Sequence, residues 1–98
     1  MKTEFNWDDT RVFLAIARSG TLSGAAEAMS IGVATISRRL DRLEQSLGVP
    51  LFSRHQSGYR LTDDGEALLE RAEALEYAGL VFGEKANLQG NVAGLVRL

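Results

Sequence analysis

Cysteine is absent from this 98-residue chain, so neither a disulfide framework nor a thiolate zinc site can form. Histidine occurs once, as His55, which leaves a metal centre without imidazole partners. Proline also occurs once, at Pro50, so nothing breaks a helix before or after it by ring geometry. The longest apolar runs are a few residues, far short of a bilayer span, and Met1–Asn6 does not open a signal peptide. No Ser/His/Asp set, carboxylate pair or phosphate-cradling glycine loop is present. The expectation is a cytoplasmic non-enzyme with no cofactor and no metal. A basic surplus is missing too: 11 Lys+Arg stand against 13 Asp+Glu, a net charge of −2, which speaks against a uniformly basic nucleic-acid binder. What is there, 45% hydrophobic and 24% charged residues, is the make-up of an ordinary globular domain.

Net charge ignores position, and here the charges are segregated. Residues 30–61 carry Arg38, Arg39, Arg42, Arg54 and Arg60 against Asp41 and Glu44, a local +3. Residues 62–86 hold seven acids against two bases, a local −5. The middle is basic through arginine alone. Such blocks are either solvated helix faces or the footprint of a polyanion.

Punctuation divides the chain into helices. Asn6, the acids Asp8 and Asp9, and the apolar set Val12, Phe13, Ile16 and Ala17 predict a helix over 7–19, stopped by Gly20. Thr21 and Ser23 offer caps for a short Ala-rich helix, 23–29. Ser30-Ile31-Gly32 forms a three-residue break. Beyond it, Val33, Ile36, Leu40, Leu43 and Leu47 recur at steps of three and four, predicting a helix over 33–47 with one apolar stripe. Its opposite face holds Ala34, Thr35, Arg38, Asp41, Arg42 and Gln45, with Ser37 on the flank.

Residues 51–54 and 58–61 are short strand-like runs about a polar turn, His55-Gln56-Ser57, and predict a hairpin wing. Thr62 caps a long helix whose first turn carries Asp63, Asp64 and Glu66, placed to suit the positive end of its dipole. Along it Leu68, Ala72, Leu75, Gly79 and Phe82 follow a heptad spacing. A helix over 63–88 would run about 39 Å, longer than three short helices can cover, so this seam is expected to meet a partner helix. Trp7, Phe13, Phe52 and Tyr59 are expected in core or wing packing.

Helix, break, helix and wing in this order make a winged helix-turn-helix pattern, in which the third helix can offer its polar face to a major groove. An ordinary bundle with surface arginines is the competing reading. The residues also carry a resemblance. Residues 7–75 resemble the N-terminal domain of LysR-type transcriptional regulators, through Phe13-Leu14-Ala15-Ile16-Ala17, Ser19-Gly20-Thr21-Leu22 and Ala25-Ala26-Glu27. Further matches are Ile36-Ser37-Arg38, Arg42-Leu43-Glu44, Leu47-Gly48-Val49-Pro50-Leu51-Phe52-Ser53-Arg54 and Leu61-Thr62-Asp63-Asp64-Gly65. Each piece is weak, but together, in order and at family spacing, they are specific. Gly94-Leu95-Val96-Arg97-Leu98 resembles the family's entry into a ligand-sensing domain, so the chain is expected to be the front of a longer regulator.

The resemblance implies a mainly α fold: a winged helix-turn-helix over 1–62, a dimerisation helix over 63–88, and a hinge from 89 to 98. Carried over by position, DNA contacts fall on Val33, Ala34, Thr35, Ser37 and Arg38, and on His55, Gln56 and Ser57 of the wing, with Arg54 close by. Many family members have Ser-Gln-Pro where Gly32-Val33-Ala34 stand here, and a basic residue in place of Ser57. Val33 is therefore either an apolar base contact or simply the first core residue of its helix. Arg38 faces outward one turn into the helix and is the strongest single candidate. Arg42 reaches a phosphate or pairs with neighbours in solvent. Arg54 contacts DNA or braces the wing, and Ser23 touches phosphate or caps its helix.

The expected partners are double-stranded DNA and a second copy, joined through Leu68, Ala72, Leu75, Gly79 and Phe82, with a larger oligomer open to the full-length protein. A small-molecule effector would act only through a C-terminal domain outside this chain. The acidic balance keeps an alternative open: a winged-helix interaction module that dimerises without binding DNA.

Overall fold

Thr21 starts the second helix by turning its side chain inward: its Oγ1 accepts the Gly24 N–H at 2.9 Å, satisfying a first-turn donor that no helical carbonyl can reach. Such local signals account for most of the element boundaries. The computed structural model describes residues 7–93, with side-chain surroundings for residues 7–83. The expected helix cap Asn6 and the family-like segment 94–98 lie outside the described residues. The element order is α1 (Trp7–Ser19), α2 (Leu22–Met29), α3 (Val33–Leu47), β1 (Phe52–His55), β2 (Gly58–Leu61) and α4 (Asp63–Ala93). The architecture is the expected winged helix-turn-helix followed by a long helix.

Three boundaries differ from the sequence reading. The helix α2 begins at Leu22, one residue early, because Thr21 rather than Ser23 makes the cap. Strand β1 starts at Phe52 and includes His55, which pairs with Gly58, so the hairpin turns on Gln56 and Ser57 alone. Helix α4 continues to Ala93 instead of ending near 88, a length of about 46 Å for its 31 residues. Glycine at 90 lowers helix propensity without forbidding the conformation.

The core sits where α1, α2 and α3 meet. Val12, Phe13, Ile16, Ala25 and Ile36 are fully enclosed, and Leu40, Leu43, Leu51, Phe52 and Ala72 close around them. The Phe13 and Phe52 rings stand 5.4 Å apart, and Tyr59 meets Phe52 edge-on at 5.9 Å, so the wing's aromatic residues complete the core. The wing is also pinned by its backbone. The Tyr59 N–H donates to the Gly20 carbonyl at 2.8 Å, and a Cβ on the preceding Gly58 (φ +139°) would collide with that same oxygen. Only glycine fits there. Gly65, in the first turn of α4, lies against the Leu51 carbonyl with equally little room for a Cβ.

The first turns of α4 are anchored to this unit. Thr62 Oγ1 accepts the Gly65 N–H at 3.0 Å and donates to the Pro50 carbonyl at 2.8 Å, giving the expected cap and a tie to the wing's entry. Farther along, Arg18 of α1 grips Glu76 with two hydrogen bonds of 2.7 and 3.0 Å. Beyond Glu76 most of the side chains of α4 through Phe82 are exposed, although Trp7 of α1 still stands near Ala78, Gly79 and Phe82.

Candidate nucleic-acid interface

The third helix buries Ile36, Leu40 and Leu43 and turns its other side to solvent. Val33 is 44% exposed and belongs to neither the buried core nor the residues packed against it. The core stripe therefore begins at Ile36, and α3 overhangs its own core by one turn. That overhang carries Val33, Ala34 and the partly exposed Thr35. Gly32 is the N-cap with extended backbone and no side-chain cap, which leaves the first-turn N–H groups open to an outside acceptor. One turn further, Arg38 is exposed, with the half-buried Ser37 beside it.

The five arginines of the basic segment divide by what holds them. Arg42 is committed: its Nε and Nη2 donate to both oxygens of Asp9, at 2.8 and 2.6 Å. The Asp9 hydrogen bonds raise the guanidinium above its ordinary pKa. Arg54 reaches Asp41 on α3 at 3.6 Å and lies 5.4 Å over the Tyr59 ring, which braces the wing against the third helix. Arg38, Arg39 and Arg60 have no acidic partner among the described residues. On the outward face of α3, the available cation is Arg38.

The wing tip holds His55, Gln56 and Ser57, all exposed, with Ser53 Oγ 3.0 Å from His55 Nε2. Since Arg54 links the wing to α3 through Asp41, the hairpin and the outward face of α3 belong to one surface. Ser23 lies exposed in the first turn of α2, and its hydroxyl is not needed as a cap because Thr21 supplies one. Glu44 is a contributor the sequence reading missed. Its Oε2 accepts the backbone N–H groups of Leu51 and Phe52 at 2.7 and 3.4 Å, fixing the start of the wing to α3. Seven residues of separation carry no helical or strand signal for such a bond.

The seam expected on the long helix divides as well. Ala72 is 2% exposed and Leu68 is half-buried, both packed into this chain's own core. These two therefore do not lie on an outward seam: α4 spends its first turns covering α1 and the wing, and one face cannot serve both purposes. Leu75, Gly79 and Phe82 are exposed, and with Trp7 and Ala78 they line one apolar hollow. Tyr77 and Leu80 are exposed on other sides of the same helix.

Residues 7–66 match the bacterial regulatory helix-turn-helix protein profile of the lysR family. The chain belongs to this family. Among its curated relatives, the HTH-type transcriptional regulator GalR of Pseudomonas putida is 41% identical over 68 residues, 69% of this chain and 17% of that protein. The Mau operon transcriptional activator of Paracoccus denitrificans is 44% identical over 73 residues, 74% of this chain and 26% of that protein. This lysR-family chain thus spans about a sixth to a quarter of the length of these relatives. Among solved structures, the CbnR DBD–DNA complex superposes with a TM-score of 0.79 at 28% identity, covering 88% of this chain and 99% of that one. Oxidized Corynebacterium glutamicum OxyR gives a TM-score of 0.82 at 30% identity, covering 88% of this chain and 28% of its own. No helix among the described residues is long and apolar enough to cross a membrane.

Proposed function

We propose that this chain is the DNA-reading part of a bacterial transcriptional regulator, and that it grips duplex DNA with α3 in the major groove. The observation that carries the reading is the overhanging first turn of α3. Small exposed side chains and uncapped N–H groups occur together there, with an unpartnered Arg38 one turn further, on a helix whose other face is locked in the core. Val33, Ala34, Thr35, Ser37 and Arg38 meet base edges and nearby phosphates. The wing tip, His55, Gln56 and Ser57, follows the adjacent backbone or minor groove, and Ser23 at the start of α2 meets phosphate. Arg54 and Arg42 hold the wing and α3 in place. Such a reader would work in the cytoplasm, on the nucleoid.

The same reading includes a homodimer through α4. Residues 77–83, Tyr-Ala-Gly-Leu-Val-Phe-Gly, contain no charged side chain, although the helix before them carries acid in nearly every turn. A second copy can cover this patch without opposing like charges, using Leu75, Gly79 and Phe82, whereas Leu68 and Ala72 serve the monomer's own core. Two recognition helices related by a two-fold axis call for an interrupted inverted repeat.

The test is selection of bound duplexes from a random library, followed by a salt titration of the winner. Inverted half-sites, and an affinity falling steeply with salt, are expected. Absence of duplex binding at low salt would favour an interaction module instead.

A further inference from the structure

We propose that Val33 is a specificity residue that reads the C5-methyl group of one thymine in each half-site. The inference rests on the DNA-binding reading above and adds what the tip of α3 recognises. Val33 is 44% exposed, while Ile36, three residues on, is fully buried. Its isopropyl group therefore contributes little to the fold and stands beyond the core, at the end of the helix that enters the groove. Side chains on a helix lean toward its N-terminus, so Val33 projects past the first turn rather than along the helix flank.

The chemistry of the tip narrows the choice of base. Gly32, Val33 and Ala34 carry no hydrogen-bonding side chain, so no side chain in this part of the surface can pair with the donors and acceptors of a base edge. Polar edge atoms placed against Val33 would lose water without gaining a partner, which disfavours any base that offers only those. Among the features of the four base pairs in the major groove, the thymine methyl is the one apolar group. Glycine at 32 and alanine at 34 keep neighbouring bulk low, allowing the backbone near enough for a valine, a short side chain, to touch it. Thr35, Ser37 and Arg38 provide the polar readout for flanking positions.

Deoxyuridine differs from thymidine by this methyl alone and makes a direct test. With the selected operator in hand, each thymine is replaced singly by deoxyuridine, and affinities of the unaltered chain and Val33→Ala are compared. The expected result is one thymine per half-site whose replacement weakens binding roughly three- to tenfold, an amount in keeping with burial of one methyl. With Val33→Ala that difference disappears, while the thermal transition stays where it was because the side chain is exposed. Half-sites without a methyl-sensitive thymine, or a sensitivity that persists in Val33→Ala, would overturn this inference and leave the DNA-binding reading standing. Failure to bind any duplex would remove both.

Discussion

Asp9 of α1 and Arg42 of α3 are locked together by two hydrogen bonds of 2.6 and 2.8 Å, and Asp9 is only 4% exposed. The pair joins the first helix to the third. In the sequence Asp9 looks like one of two acids suited to a helix dipole, and Arg42 like a surface cation. In the fold they form a cross-helix strut, and a carboxylate this enclosed depends on its guanidinium.

Removing either partner should therefore cost stability before it costs recognition. Asp9→Ala and Arg42→Ala are both expected to lower the midpoint of thermal unfolding, the change at Arg42 leaving a buried carboxylate without its charge partner. The slope of log affinity against log salt should stay unchanged in Arg42→Ala, since no phosphate contact is lost. A slope smaller by about one would instead place Arg42 on the backbone of the DNA.

Arg38 should behave in the opposite way. It is exposed and has no acidic partner among the described residues, so Arg38→Ala is expected to leave the unfolding free energy within about 0.5 kcal/mol. Duplex affinity should fall by about 1–3 kcal/mol, with relaxed preference at one base pair if the contact is to a guanine. Calorimetry and binding isotherms on the same preparations separate the two effects.

The tether between Arg18 and Glu76 should make α4 docking sensitive to acid. The Arg18 hydrogen bonds hold the Glu76 carboxyl below its ordinary value of 4.5. A carboxyl whose folded pKa is depressed adds stability above its unfolded pKa and loses it as the pH falls through the folded value. The gap in melting temperature between the unaltered chain and Glu76→Gln is thus expected to be open at neutral pH. It should close progressively below about pH 4.5. A gap independent of pH would mean that the ion pair does not hold the helix.

Two substitutions on α4, ten residues apart, should separate folding from assembly. Phe82 is 74% exposed, and Phe82→Glu is expected to weaken self-association at least about tenfold while leaving the monomer folded. Ala72 is 2% exposed, and Ala72→Glu is expected to destabilise the monomer by about 3–5 kcal/mol through an unpaired buried charge. Sedimentation together with circular dichroism distinguishes the outcomes. Phe82→Glu that remains fully dimeric would move the interface elsewhere.

Local signals made the elements legible from the residues alone. Gly20, the Ser30-Ile31-Gly32 break, Gly48 and the Thr62 cap punctuate the chain, and the bounds of α1 and α3 match the sequence reading residue for residue. The strong apolar stripe of α3 placed Ile36, Leu40 and Leu43 inward and left Arg38 outward. Periodicity is less informative on α4. The heptad spacing from Leu68 to Phe82 is continuous along the sequence, yet Ala72 is buried in its own domain and Phe82 is open to solvent. A repeat records which residues share a face, and cannot say where along the helix that face passes from one neighbour to another.

The sequence by itself determined the order of elements, the family and the face of α3 that is free to read. Each follows from spacing, caps and motif order within a few turns of chain. Only the tertiary structure decided which arginines are free. Arg42 is taken by an acid 33 residues away, while Arg38 keeps its charge for a partner. It also freed Val33 from the core and gave Glu44 its place beneath the wing. Charge and hydrophobicity are properties of a residue, but availability depends on what the fold brings within about 3 Å of its side chain.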